Sequence, residues 1–147
     1  MLIVLNGVAI DEAFAPMSVN MTLEDEIDIS RGDMIVRENN VPEIGQDLDV
    51  LVTWMNTSPL HPRTKVIVKH TTNECMAMVK ELKYKVDINT LHRIENIDKI
   101  EMNDIGRISI RTSKPLFYDI YKKNRQTGSL IIVDEQTNET IGAGMII

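Results

Sequence analysis

Residues 24–33, EDEIDISRGD, gather five carboxylates and an Arg-Gly-Asp tripeptide into ten positions. On a strand, Glu24, Glu26 and Asp28 would share one face and could offer oxygen ligands to a hard cation, the basis for a cation-dependent hydrolase. An EF-hand loop begun at Glu24 would need Gly where Ile29 stands and a bidentate Glu where Ile35 stands, so that motif is excluded. The run reads instead as the solvated face of a strand. Arg31-Gly32-Asp33 has the composition of an adhesion motif, but a glycine there more simply lets the chain turn between a DEIDI strand and a MIV strand.

Other reactive side chains form no motif. His61, His70 and His92 lack the paired spacing of a zinc site and read as packing or surface residues. Cys75 has no nucleophile signature around it and reads as a small buried hydrophobe. None of the seven glycines is followed by Lys and a hydroxyl residue, so no phosphate-binding P-loop exists. Gly142-Ala143-Gly144 lies in an apolar strand, where glycine permits close backbone approach. Lys122, Lys123 and Arg125, before Thr127-Gly128-Ser129, could hold an anion between cations and amides, but a solvated loop is the simpler reading. The nine methionines read mainly as fillers of core gaps. No catalytic, cofactor-binding or metal-binding residue is assigned.

The elements that would position any site are strands. Leu48, Val50, Val52 and Trp54 occupy one parity of their segment, and Ile108 and Ile110 alternate with Arg107, Ser109 and Arg111. Leu82, Tyr84 and Val86 alternate with Glu81, Lys83 and Lys85, and residues 65–69, KVIVK, form a β-branched run. SLIIV and TIGAGMII flank the polar residues 134–139, as in a hairpin of two strands buried on both faces. Residues 72–106 are ambiguous: Thr72 or Asn73 could cap a helix bearing Met76, Val79 and Leu82. The strict charge alternation favours a strand over residues 76–86, with a short helix or long loop over residues 91–100.

Composition sets the class. The chain has 147 residues, 43% hydrophobic and 26% charged, enough for a core without staples. A formal charge of −6 disfavours a phosphate backbone as partner, and no apolar run is long enough for a membrane helix. A lone cysteine fits a reducing compartment, which points to the cytoplasm. The opening LIVLNGVAI and Ala13-Phe14-Ala15 imitate a leader, but Asn6-Gly7 interrupts the apolar run and Asp11-Glu12 flank the cut. Asn, Pro and Gly in residues 38–46 mark a linker between residues 1–37 and residues 47–147.

Longer strings carry a relationship. LEDEIDISRGD at residues 23–33, KVDINTL at 85–91, NDIGR at 103–107 and NRQTGSLIIVDEQTNETIGAGMI at 124–146 closely resemble the C-terminal part of the large, GTP-binding subunit of bacterial sulfate adenylyltransferase. That subunit is similar to elongation factor Tu, a GTPase domain followed by two β-barrels. The resemblance implies an all-β chain: residues 1–37 as the remnant of the first barrel and residues 47–147 as the second, antiparallel barrel. It also implies that GTP and magnesium bind only in a GTPase domain outside this sequence, leaving no cofactor here. In the family the complete large subunit hydrolyses GTP, while a small partner subunit makes adenosine 5′-phosphosulfate and pyrophosphate from ATP and sulfate. This chain would then be a noncatalytic fragment that supports interdomain or subunit coupling. Its partner would be the small subunit, with neither nucleic acid nor membrane involved. Unpaired strand edges in residues 1–37 would favour self-association. The alternative is a barrel from a translation-type GTPase that binds RNA or protein, which calls for a basic face and steep salt dependence.

Overall fold

The computed structural model describes residues 2–147, and among them the chain is built of strands, turns and loops with no helix. Two compact units meet in sequence between Ser30 and Arg31. The first holds a three-stranded antiparallel sheet of β1 (Leu2–Leu5), β2 (Val8–Ile10) and β3 (Asn20–Thr22), in the order β2-β1-β3. Asn6 and Gly7, with φ of 51° and 81°, join β1 to β2; the Asn-Gly pair accepts positive φ at both turn positions, as a tight hairpin demands.

The second unit is a closed antiparallel barrel of six strands. They are β4 (Glu43–Trp54), β5 (Lys65–His70), β6 (Asn73–Val86), β8 (Ile105–Tyr118), β9 (Ser129–Val133) and β10 (Thr140–Ile146), with the short β7 (Arg93–Glu95) added at a margin. The order β5-β9-β10-β4-β8-β6 returns to β5 through the β5–β6 pair. Closure removes the sheet edges that would otherwise stand open. Alternation fills the interior: Leu48, Val50, Val52 and Trp54 from β4 meet Ile108 and Ile110 from β8. Leu60 and Ile100, in the loops, exchange backbone hydrogen bonds of 2.8 and 3.0 Å and are fully buried with that core.

The all-β expectation is therefore met, and the local departures from it have identifiable causes. Asn73–Val86 form a strand, yet its parity changes along its length. Cys75, Ala77 and Val79 point inward at odd positions, and then Leu82 does so at an even one. The ladder to β8 slips between Val79 and Glu81 and again between Leu82 and Tyr84. Each bulge adds one residue and flips the faces beyond it, so Val79 and Leu82 acquire a helix-like spacing inside a strand. Residues 91–100 contain no helix; β7 and loops occupy them.

Three further expectations are corrected. The DEIDI and MIV strands do not form, because residues 23–42 join no ladder and alternation without a neighbouring strand secures nothing. SLIIV is buried on one face only, since Ile131 is 45% exposed between buried Leu130 and Ile132. No described methionine belongs to the buried core, which β-branched residues and leucine fill; Met55, Met78 and Met102 lie exposed.

Candidate functional site

The acidic candidates stay apart from one another's chemistry. Glu24, Glu26 and Asp28 are exposed, and among the described residues no group of three or more His, Cys, Asp or Glu side chains is disposed to hold a metal ion. Gly32 is buried rather than displayed. Its φ is 110°, its carbonyl accepts a 2.9 Å hydrogen bond from Asn73 Nδ2, and the Arg31 Nε donates to the Thr72 carbonyl at 3.3 Å. The Arg-Gly-Asp turn is thus docked on the β5–β6 hairpin, and an added Cβ at Gly32 would lie 2.4 Å from Asn73 Oδ1.

The histidines serve separate local contacts. His61 Nδ1 lies 3.2 Å from the Asp98 carbonyl at the surface, and His92 is exposed. His70 is 1% exposed, and its Nε2 donates to the Thr127 carbonyl at 2.7 Å, a tie across 57 residues that no sequence spacing announced. Burial pushes the Cys75 thiol up, which suppresses the nucleophilic thiolate.

The basic loop spends several of its donors on itself. Lys123 Nζ and Thr127 Oγ1 both donate to the buried Asp119, at 2.6 and 2.8 Å, and these bonds hold the Asp119 carboxyl below the usual range. The Gln126 and Gly128 amides donate to Asn124 Oδ1 and to the Asn124 carbonyl. An anion would have to displace this set, so the loop is a structural clasp for the end of β10, where Tyr121 N donates to the Ile146 carbonyl at 2.8 Å.

What distinguishes the barrel is its outer wall, which has two unlike sides. Across β4, β8 and β6 the wall is charged and neutralised. Asp47 accepts from Lys80 and Arg111 at 3.2 and 2.9 Å, Asp49 from Lys83 and Arg107 at 2.9 and 2.6 Å, and Asp104 from Lys85 at 3.1 Å. Across β9, β10 and the last residues of β4 the outward positions are apolar or small: Ile131 opposite Ala143, Ala143 opposite Thr53, and Met145 opposite Leu51. The barrel interior accounts for the inward face of these strands alone.

The charged side carries a pH signature. Partial burial works to raise the Asp49 carboxyl, but the hydrogen bonds and charges of Lys83 and Arg107 outweigh it and hold it below its ordinary 3.8. A depressed folded value means that the stabilisation is complete above 3.8 and is lost as pH falls through the folded value. Asp49→Asn is expected to cost about 1 kcal/mol at neutral pH. Urea unfolding should show that difference shrinking between about pH 4 and about pH 2. A difference independent of pH would assign the effect to packing.

Among the described residues, no helix is long and apolar enough to cross a membrane. Residues 47–147 match the family described as GTP-eEF1A C-terminal domain-like. The chain is 47% identical over 138 residues to the bifunctional enzyme CysN/CysC of Rhodopirellula baltica, covering 94% of this chain and 21% of that protein. It is 43% identical over 135 residues to sulfate adenylyltransferase subunit 1 of Sulfurovum sp., covering 92% and 28% respectively. The same-named protein of Bacteroides fragilis is 41% identical over 138 residues, 94% of this chain and 29% of the relative. The chain thus spans between about a fifth and three tenths of the length of the curated relatives it matches. Among solved structures, sup35 complexed with GDP superposes with a TM-score of 0.67 at 12% identity, over 75% of this chain and 27% of that one. The latter is a likeness of fold alone. The resemblance carried by the strings of residues 23–33 and 124–146 is borne out by identity across nearly the whole sequence, and the chain belongs to the GTP-eEF1A C-terminal domain-like family.

Proposed function

We propose that this chain is a noncatalytic β-barrel module of the GTP-binding subunit of sulfate adenylyltransferase, serving interdomain or subunit coupling. The observation that carries this reading is identity of 40–43% across at least 92% of the chain with relatives named sulfate adenylyltransferase subunit 1. In the intact complex, ATP and sulfate give adenosine 5′-phosphosulfate and pyrophosphate, driven by GTP hydrolysis, and the groups for both reactions lie outside these residues. Residues 1–37 are then the last part of a first barrel, residues 38–46 a linker, and residues 47–147 a second barrel, in the cytoplasm.

The apolar outer wall of β9, β10 and β4 supports the coupling role. A packed neighbour, the GTPase domain or the small subunit, accounts for its Ile131, Ala143, Met145 and Leu51. A closed barrel moves as a rigid body, so a shift at that wall transmits a nucleotide state without deforming the barrel.

The test is calorimetric titration of this chain into the purified small subunit, beside a GTP hydrolysis assay. Binding is expected, without hydrolysis, and Ile131→Lys should weaken binding by about tenfold or more while leaving the unfolding midpoint near that of the parent. GTP hydrolysis by this chain would overturn the noncatalytic reading. Binding indifferent to Ile131→Lys would move the contact elsewhere on the barrel.

A further inference from the structure

The margin of the barrel sheet carries an edge whose chemistry is complementary to itself. Among the described residues β7 pairs with β6 alone, with Tyr84 opposite Glu95, Lys85 opposite Ile94 and Val86 opposite Arg93. The Asp87 amide donates to the His92 carbonyl at 2.9 Å, which fixes the phase of the ladder. Hydrogen-bonded pairs alternate in an antiparallel ladder, so the Ile94 amide and carbonyl turn toward β6. Those of Arg93 and Glu95 turn to the free side. The edge therefore offers two donors and two acceptors, spaced as one antiparallel strand requires.

The side chains select the partner. Short edge strands are normally protected by their charges. Here Arg93 and Glu95 are both exposed and of opposite sign, two residues apart on one face. A two-fold axis through Ile94 would set Arg93 of one strand opposite Glu95 of the other, twice over. The opposite face adds apolar area. Ile94 lies beside Ile88 and Met102 around a cleft of about 300 Å³, and these side chains are 40%, 65% and 48% exposed. The adjoining loop is held in place: the Asp87 carboxylate accepts from the Asn89 and Thr90 amides at 2.8 and 3.1 Å, and the Leu91 amide donates to the Asp87 carbonyl at 2.7 Å.

We propose that the free edge of β7 joins a second copy of this chain, antiparallel and in register about Ile94. The contact is small, so the dimer is a weak one, with a dissociation constant between about 10 µM and about 1 mM. This inference is independent of the sulfate adenylyltransferase reading, and it concerns an edge far in sequence from the strands of residues 1–37.

The experiment is sedimentation equilibrium of the full chain and two charge-reversed variants, Arg93→Glu and Glu95→Arg, each checked for fold by circular dichroism. The parent should show a concentration-dependent dimer, and each variant alone should dimerise about tenfold more weakly or worse, because like charges then face each other. An equimolar mixture of the two variants should recover the parent's association, since one chain then carries acids at both positions and the other bases at both, and each cross-strand pair is again of opposite sign. A parent that stays monomeric at about 1 mM overturns the proposal. So does a dimer that both reversals leave unchanged, which would assign association to residues 1–37 or another face. Failure of the mixture to associate, with both variants folded, overturns the two-fold register.

Discussion

Trp54→Ala is expected to destabilise the barrel by about 3–5 kcal/mol, the range for deleting a buried aromatic from a packed core. Trp54 is 2% exposed and ends the inward series of β4. Its Nε1 donates to the Ser58 carbonyl at 2.8 Å, and its own amide and carbonyl bond to the Asp104 carbonyl and the Asn103 amide at 3.0 and 2.8 Å. The ring also uses space that Gly142 vacates, since a Cβ there would lie 3.3 Å from Trp54 Cε3. Truncation therefore opens a cavity and removes the indole donor that the Ser58 carbonyl accepts from. Because a domain's whole stability is about 5–15 kcal/mol, the variant should unfold at a markedly lower urea midpoint and melt about 10 °C or more below the parent. Trp54→Phe, which keeps an aromatic ring but no N–H donor, should fall between the two. A loss below about 1 kcal/mol for the alanine variant would mean that the loops around Ser58 collapse onto the site.

The second large effect is expected at Gly128, where alanine should cost about 3 kcal/mol through overpacking. A Cβ would stand 2.4 Å from Tyr121 Cα, 2.6 Å from Tyr121 N and 2.7 Å from the Asn124 carbonyl oxygen. All three are backbone atoms, so no rotamer change relieves them. Two strand-anchoring bonds depend on the same place, Ile146 N to the Gly128 carbonyl and Tyr121 N to the Ile146 carbonyl, each 2.8 Å. Gly144 supplies the comparison. Its added Cβ would meet Val50 Cγ1 at 2.4 Å and Leu130 Cδ1 at 3.0 Å, atoms of packed core side chains, which yield by small shifts more readily than backbone does. Gly144→Ala should therefore cost less, about 1–2 kcal/mol. Urea unfolding of the two variants side by side checks the order, and a larger loss at Gly144 would refute the distinction between backbone and side-chain neighbours.

Gly128 shows how a site candidate changes meaning. In the sequence, Thr127-Gly128-Ser129 after a basic run offers amides to an anion. In the fold the Gly128 amide is taken by the Asn124 carbonyl, and the Thr127 and Ser129 hydroxyls by Asp119 and the Arg125 carbonyl. Composition records which donors exist, and only the loop's closure decides what they meet.

The residues by themselves determined the strands whose two faces differ in polarity. Leu48 to Trp54 and Ile108 to Ile110 turn inward as their alternation requires, because a pleated strand sends successive side chains to opposite faces whatever its partner. The family strings were legible as well. Tertiary structure decided the rest. The two slips of β6 against β8 depend on a strand about thirty residues away and reverse which side chains are buried. Residues 24–29 alternate as well as any strand, yet among the described residues they join no ladder. The tie from His70 to Thr127 joins positions 57 apart. Side-chain period is a local property of the backbone, whereas register, closure and the pairing of buried polar atoms are set by what lies across the sheet.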